Sequence, residues 1–344
     1  MANSTTRFSQ LMGAPCTRQS VIQSLQSDPA TYQLYQQMIP VYQEKILNFL
    51  TGQRGLEILY DGIFQQILNP NLYPERLEDF LSQLIRQPVK IKELLPREGN
   101  KISDHSSFVI MDILVLLQDK SLVNIEVQKI GYYFPAERSN CYISDLIMRQ
   151  YNQVKAKRGK KFSYKDPTPV YVIILMEESP SEFRQAAPHY IHERQISYSS
   201  GVQLKDLENV YFITLDIFRS VVQNITNKLD AWLTFFSCEE SERILELVDT
   251  YPEFAQYYED IAKFRNNPKE LIHMYSEALY LLDRNTEKYM VEEMKADLQK
   301  KDATINTLTF TNQEQASTID QQSNLIEELQ KQIALLKAEK TTNI

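Results

Sequence analysis

The spacing of hydrophobic positions changes several times along the chain, and each change predicts an element. Tyr35, Met38, Ile39, Tyr42 and Ile46 recur every three or four residues, so the chain up to about residue 55 reads as helical, after a looser opening with Pro15 and Pro29. Leu56–Leu68 and Pro74–Ile85 read as two amphipathic helices parted by the breaker Asn69-Pro70-Asn71. Val89–Leu94 is a short strand, ended by Leu95-Pro96. From Phe108 to Gln128, two runs rich in Val, Ile and Leu flank the polar break Gln118-Asp119-Lys120-Ser121, which predicts a β-hairpin. Ala136–Lys157 returns to helical spacing through Tyr142, Leu146, Ile147, Tyr151 and Val154.

Two continuous apolar runs, Val170–Met176 and Val210–Phe218, predict strands buried on both faces. A helix lying between strands implies a crossover and a mixed sheet, so the core reads as α/β. Asn224 to about Tyr280 reads as four helices with Trp232, Phe235 and Phe236 in their core.

The last segment follows a heptad. With Val291 at position a, the a series continues Leu298, Ile305, Asn312, Ile319, Ile326 and Ile333; the d series runs Met294, Lys301, Leu308, Gln315, Gln322, Leu329 and Leu336. That register predicts a coiled coil and a parallel homodimer through residues 291–336, with Asn312 fixing register and strand number; a trimer, an antiparallel arrangement or a docked or frayed single helix are the alternatives. Four segments follow: a helical N-terminal extension (1–55), an α/β core (56–222), a helical subdomain (223–285) and the coiled coil (286–344).

Chemistry concentrates on the hairpin. Asp112 lies in an otherwise apolar strand, and Glu126 and Gln128, two residues apart, share one face of the partner strand. A carboxylate in such a run costs several kcal/mol without a partner, and a divalent cation between Asp112 and Glu126 would offset that cost. An ion pair or a solvated face would do the same. After the hairpin, Lys155, Lys157, Arg158, Lys160, Lys161 and Lys165 place six cations in eleven residues, interleaved with Phe162 and Tyr164. Such a cluster suits phosphate contacts. His189 and His192 have no third ligand close in sequence, so their HxxH spacing is too sparse for a metal site.

Composition narrows the partners. The 344 residues are 43% hydrophobic with a net charge of −8, so the chain is globular and any nucleic acid must meet a local basic surface. Cys16, Cys141 and Cys238 are few and scattered, and no run nears the roughly 18 apolar residues of a membrane span. The N-terminus lacks the basic and apolar regions of a secretion signal. A soluble, cytoplasmic protein with no membrane partner is expected.

Asp112, then Glu126-Val127-Gln128, then RSNCYISDLIMRQY from Arg138 to Tyr151 resembles the PD-(D/E)XK nuclease superfamily, in its bacterial transposase-like branch related to recombination-promoting nucleases. LLPREG at Leu94–Gly99, FSYKD at Phe162–Asp166 and DRNTEKYM at Asp283–Met290 are similar to the same branch, and the likeness covers roughly residues 56–285. The resemblance implies a restriction-endonuclease-like αβββαβ core that hydrolyses DNA phosphodiesters with Mg²⁺ or Mn²⁺. Asp112 and Glu126 would be the metal ligands, with the Val127 carbonyl a third, and Asp112, Glu126 and Gln128 the catalytic set. Gln128 stands where the superfamily usually has lysine, so the site brings no positive charge there. Glu78 or Asp61 would be the acid from the first core helix. Arg138, Arg149, Lys155, Lys157, Arg158, Lys160 and Lys161 are the expected nucleic-acid contacts. The alternatives are a catalytically degenerate nuclease fold, acting as a DNA- or protein-binding module that dimerises through its coiled coil, and a nuclease acting on RNA.

Overall fold

Prolines and cap side chains set where the helices begin. In the computed structural model, which describes residues 2–96, 112–129 and 135–342, the N-terminal region holds α1 (Ala2–Met12), α2 (Arg18–Gln26), α3 (Pro29–Gln37) and α4 (Pro40–Leu50). Thr17 and Asp28 cap α2 and α3 with side-chain oxygens, and prolines open α3 and α4. There follow α5 (Asp61–Ile67), α6 (Pro74–Ile85), β1 (Ile91–Leu94), β2 (Ile113–Leu117), β3 (Leu122–Gln128), α7 (Pro135–Arg158) and β4 (Val170–Met176). The chain continues through α8 (Ser181–Arg184), β5 (Ile191–Glu193), β6 (Glu208–Thr214), α9 (Leu215–Val221), α10 (Lys228–Ser237), α11 (Ser241–Thr250), α12 (Phe254–Ala262) and α13 (Pro268–Thr342).

The sheet has six strands in the order β1-β2-β3-β4-β6-β5. β1, β2 and β3 pair antiparallel, β3, β4 and β6 pair parallel, and β5 returns antiparallel to β6. The parallel β3–β4 pair needs a crossover, which α7 supplies. The turn between β2 and β3 is closed by Asp119, whose carboxylate accepts from the Ser121 N–H and hydroxyl, while Lys120 takes a left-handed φ of 75°.

Alternation along the strands divides the core. Val115, Val123, Ile125, Ile173, Leu175 and Ile213 face one layer, packed with residues of α4–α6 and α9–α12 around Phe80, Trp232 and Phe236. Leu114, Leu122, Val172, Ile174, Val210 and Phe212 face the other, against Tyr142, Ile143 and Leu146 of α7. Helices on both faces of a mixed sheet make an α/β architecture consistent with the nuclease fold. The chain divides into two compact units, Met1–Asn285 and Thr286–Ile344.

Two expectations need correction, and one strand lies outside them. Val210–Phe218 is not all strand: β6 stops at Thr214, and Leu215, Ile217 and Phe218 bury one side of α9. An apolar run has the same composition in either state, and Asp216 in the first turn of α9 marks the switch. The helix read over Leu56–Leu68 begins only at Asp61, because Leu56 to Tyr60 are buried at every position, which an amphipathic helix does not allow. Strand β5 was not expected; its His192 stacks edge-on against Phe183.

Candidate active site

Strand β3 is buried from both sides, so each of its polar side chains must find a partner or face a ligand. Asn124, Glu126 and Gln128 share the face that looks toward α7, as the period of two requires. β2 meets β3 with Ile113 opposite Ile125, so one further step sets Asp112 across from Glu126. Two hydrogen bonds lock that step: the Asp112 N–H donates to Glu126 Oε1 at 3.2 Å, and the Val127 N–H donates to Asp112 Oδ2 at 2.7 Å. The rest of the expected first strand, Phe108–Met111, lies outside the described residues.

Glu126 is held by its neighbours. Asn124 donates its amide to Oε1 at 2.9 Å, and the Tyr142 hydroxyl donates to the carboxylate. The Tyr142 oxygen in turn accepts from Arg138 Nε at 3.2 Å and Nη2 at 3.0 Å. Burial raises the Glu126 carboxyl above its ordinary range, against the pull of Asn124, Tyr142, the Arg138 charge and the Asp112 N–H. Gln128 is 2% exposed, and neither amide atom has a partner among the described residues; the Asn124 carbonyl oxygen is also unpartnered there.

The other expected contacts separate. Arg138 sits on the acids' side of α7. Arg149 is engaged by Asp145 at 2.6 Å and the Pro96 carbonyl at 3.2 Å, which leaves it poorly placed to grip a phosphate. Lys155, Lys157 and Arg158 lie at the far end of α7 and Lys160 and Lys161 in the turn just past it, beyond the point where Gln150 binds the Lys120 carbonyl of the β2–β3 turn. Thirteen helical residues from Tyr142 to Lys155 span about 20 Å, so this cluster stands well away from the acids. Glu78, an expected helix-borne acid, is engaged by β1, accepting from the Ile91 N–H at 2.9 Å and Lys90 Nζ at 2.6 Å. The Asp61 side chain lies outside the described residues.

Sequence reasoning missed a second charged group, on the opposite face of β3. Lys129, one residue past the strand end, bridges Glu57 and Glu177, and its amine lies 3.7 Å from the centre of the Tyr60 ring. Lys45 also reaches Glu57, at 2.7 Å. The Glu177 N–H donates to the Gln128 carbonyl at 2.8 Å, which ties this group to the end of the E-x-Q strand. Burial pushes Glu177 up to about 7, more than the Lys129 charge recovers. Burial acts on Glu57 as well, but Lys129 and Lys45 together hold it well below the carboxylate range.

Among the described residues no group of three or more His, Cys, Asp or Glu side chains is arranged to hold a metal ion, and none of the helices is long and apolar enough to cross a membrane. A family model described as PD-(D/E)XK nuclease family transposase matches residues 60–292, more than half of the chain. The chain belongs to this family. Comparison with curated proteins and with solved structures gives no match. As a PD-(D/E)XK nuclease family transposase, the chain has a nuclease- or transposase-like function.

Proposed function

We propose that this family member is a divalent-metal-dependent DNA endonuclease, transposase-like, with Asp112 and Glu126 as its metal ligands. The observation that carries the reading is the pairing of those two acids across β2 and β3, with the Asp112 N–H on the Glu126 carboxylate and the Val127 N–H on the Asp112 carboxylate. The donor set suits a hard cation: two carboxylates converge beside a buried amide that has no protein partner among the described residues. Asp112 and Glu126 would hold Mg²⁺ or Mn²⁺, which when bound neutralises charge on the scissile phosphate and acidifies the attacking water.

The chain's own groups divide the remaining work. Gln128 can donate and accept at once, so it orients the water or a phosphate oxygen without adding charge. Arg138 brings positive charge to the same side of the sheet, and Tyr142 and Asn124 keep the Glu126 carboxylate aimed. Residues 291–336 would pair two copies, giving two sites for the two strands of a duplex.

Supercoiled DNA offered with Mg²⁺, Mn²⁺, Ca²⁺ or EDTA tests the reading. Nicking with Mg²⁺ or Mn²⁺ that disappears in Asp112→Ala is expected; undiminished nicking by that variant rejects the assignment. The neutral Gln128 favours a second reading, a degenerate nuclease fold kept as a binding module. That reading predicts salt-sensitive DNA binding with no ion-dependent cleavage, and an RNA substrate in the same assay tests the choice of sugar.

A further inference from the structure

At the far end of α7 the structure holds an exposed aromatic group inside a basic surface, and the acids' site makes no use of it. Tyr151, Phe162 and Tyr164 touch one another: Tyr151–Phe162 edge-on at 5.2 Å, Phe162–Tyr164 edge-on at 5.4 Å, and Tyr151–Tyr164 nearly parallel at 6.4 Å. Tyr164 is 84% exposed, so most of its ring is open to solvent despite these contacts. It does not sit on a loose loop. Gly159, with a φ of 51°, ends α7; Asp166 closes the turn by accepting from the Ser163 N–H at 2.8 Å and pairing with Arg158 at 2.9 Å.

Around these rings residues 155–166 carry six cations and one acid, on a chain whose net charge is −8. Lys155 donates to the Tyr151 hydroxyl at 2.8 Å and lies over its ring at 5.0 Å. Lys157, Lys160, Lys161 and Lys165 are exposed, and none makes an ion pair among the described residues. An open ring among cations without ion pairs matches the two halves of an unpaired nucleotide, since the base stacks on the ring and the phosphate meets a lysine. In a duplex the bases are stacked on each other and cannot use the rings.

We propose that Tyr164, backed by Tyr151 and Phe162 and flanked by Lys157, Lys160, Lys161 and Lys165, is a stacking platform for single-stranded DNA. The choice of DNA rests on the nuclease reading above. Tyr151, on which Tyr164 packs, lies nine helical residues, about 14 Å, along α7 from Tyr142, so the platform grips an unpaired segment a few nucleotides from the bond at the acids.

The test uses the full chain in EDTA, so that no cleavage contributes, and reads anisotropy of a labelled oligo-dT of fifteen nucleotides, a duplex of equal length, and oligo-U. Oligo-dT should bind more tightly than the duplex. Tyr164→Ala should weaken oligo-dT binding about 5- to 150-fold, the range for one lost base stack, while Tyr164→Phe keeps it. The Lys160→Glu/Lys161→Glu double variant should weaken binding and flatten its salt dependence. An unchanged thermal midpoint in Tyr164→Ala shows that the fold survives. Equal binding by Tyr164→Ala, or a duplex bound as tightly as oligo-dT, overturns the platform; oligo-U bound tenfold more tightly than oligo-dT overturns DNA as the occupant. Loss of oligo-dT binding in Tyr164→Ala together with undiminished nicking by Asp112→Ala would leave the platform standing and the catalytic reading fallen.

Discussion

Replacing Lys129 by Met removes the cation that two buried carboxylates share. The side chain of Lys129 is 13% exposed, and those of Glu57 and Glu177 are 7% and 17% exposed, so water cannot take its place cheaply. Glu57 keeps Lys45 at 2.7 Å, which makes Glu177 the group left without a counter-charge. Breaking a buried pair of this kind costs about 3–5 kcal/mol. Over the unit Met1–Asn285, unfolding entropy near 2.1 cal/mol/K per residue gives about 0.6 kcal/mol/K, so the midpoint should fall by about 5–8 °C at pH 8. The sign with pH follows from Glu177. Its folded value, about 7, is above the ordinary value of 4.5, so its contribution is fully present below pH 4.5 and is lost as pH rises through 7. Without Lys129 that loss deepens, while at pH 5.5 a protonated Glu177 can hydrogen-bond Glu57 and the variant should melt only about 2 °C below wild type. Thermal unfolding by circular dichroism at both pH values reads this, with Lys129→Met/Glu177→Gln as the control expected to recover more than half of the loss. Equal losses at pH 5.5 and pH 8, or a loss under 2 °C at pH 8, would refute the reasoning.

Three further outcomes are expected. Tyr142→Phe removes the hydroxyl between Arg138 and Glu126, and the Mg²⁺ concentration for half-maximal nicking should rise about 10- to 100-fold; an unchanged Mg²⁺ dependence counts against a positioning role. Arg76 is 1% exposed, donates to the Ile67 carbonyl at 2.9 Å and to Asp260, and lies 3.8 Å from the Tyr73 ring centre, so Arg76→Ala should lose about 3–5 kcal/mol in urea titration. Leu298, Ile305, Ile319 and Ile326 are 55–60% exposed in the single chain, and Ile319→Asp at an a position should convert a sedimenting dimer to monomer if 291–336 pair; wild type that sediments as a monomer removes the dimer.

What could be read from the sequence was whatever period and proximity encode. Glu126 and Gln128 share a face because they are two apart, and the short polar break set Asp112 near them. Asn124 is legible by the same parity, a polar residue on a buried strand two positions before Glu126. Lys129, Glu57 and Glu177 could not be joined that way. They come from three distant points in the chain, Glu57 falls in a stretch whose composition mimics a helix, and Lys129 has the opposite parity to Glu126 and Gln128. The boundary between β6 and α9 fails for a related reason: Phe212 to Phe218 is apolar on either side of the change, and burial, not period, fixes both halves.

Strand β3 offers a way to tell a structural polar group from one that awaits a ligand. Both its faces are buried, so polar atoms near its C-terminal end face the same desolvation cost on either side. On one side the charged groups partner one another within the chain, where Lys129 has two carboxylates and a ring, and the two carboxylates have two lysines between them. On the other side Glu126 is oriented by Asn124, Tyr142 and a backbone N–H, yet Gln128 keeps both amide atoms without a partner among the described residues. A network closed on itself stabilises a fold and gains nothing from a ligand, whereas one aimed by its neighbours and left open at a buried amide gains its missing bonds only when something binds. This contrast, more than the count of acids, supports the proposal that the α7 side of the sheet is the side for chemistry.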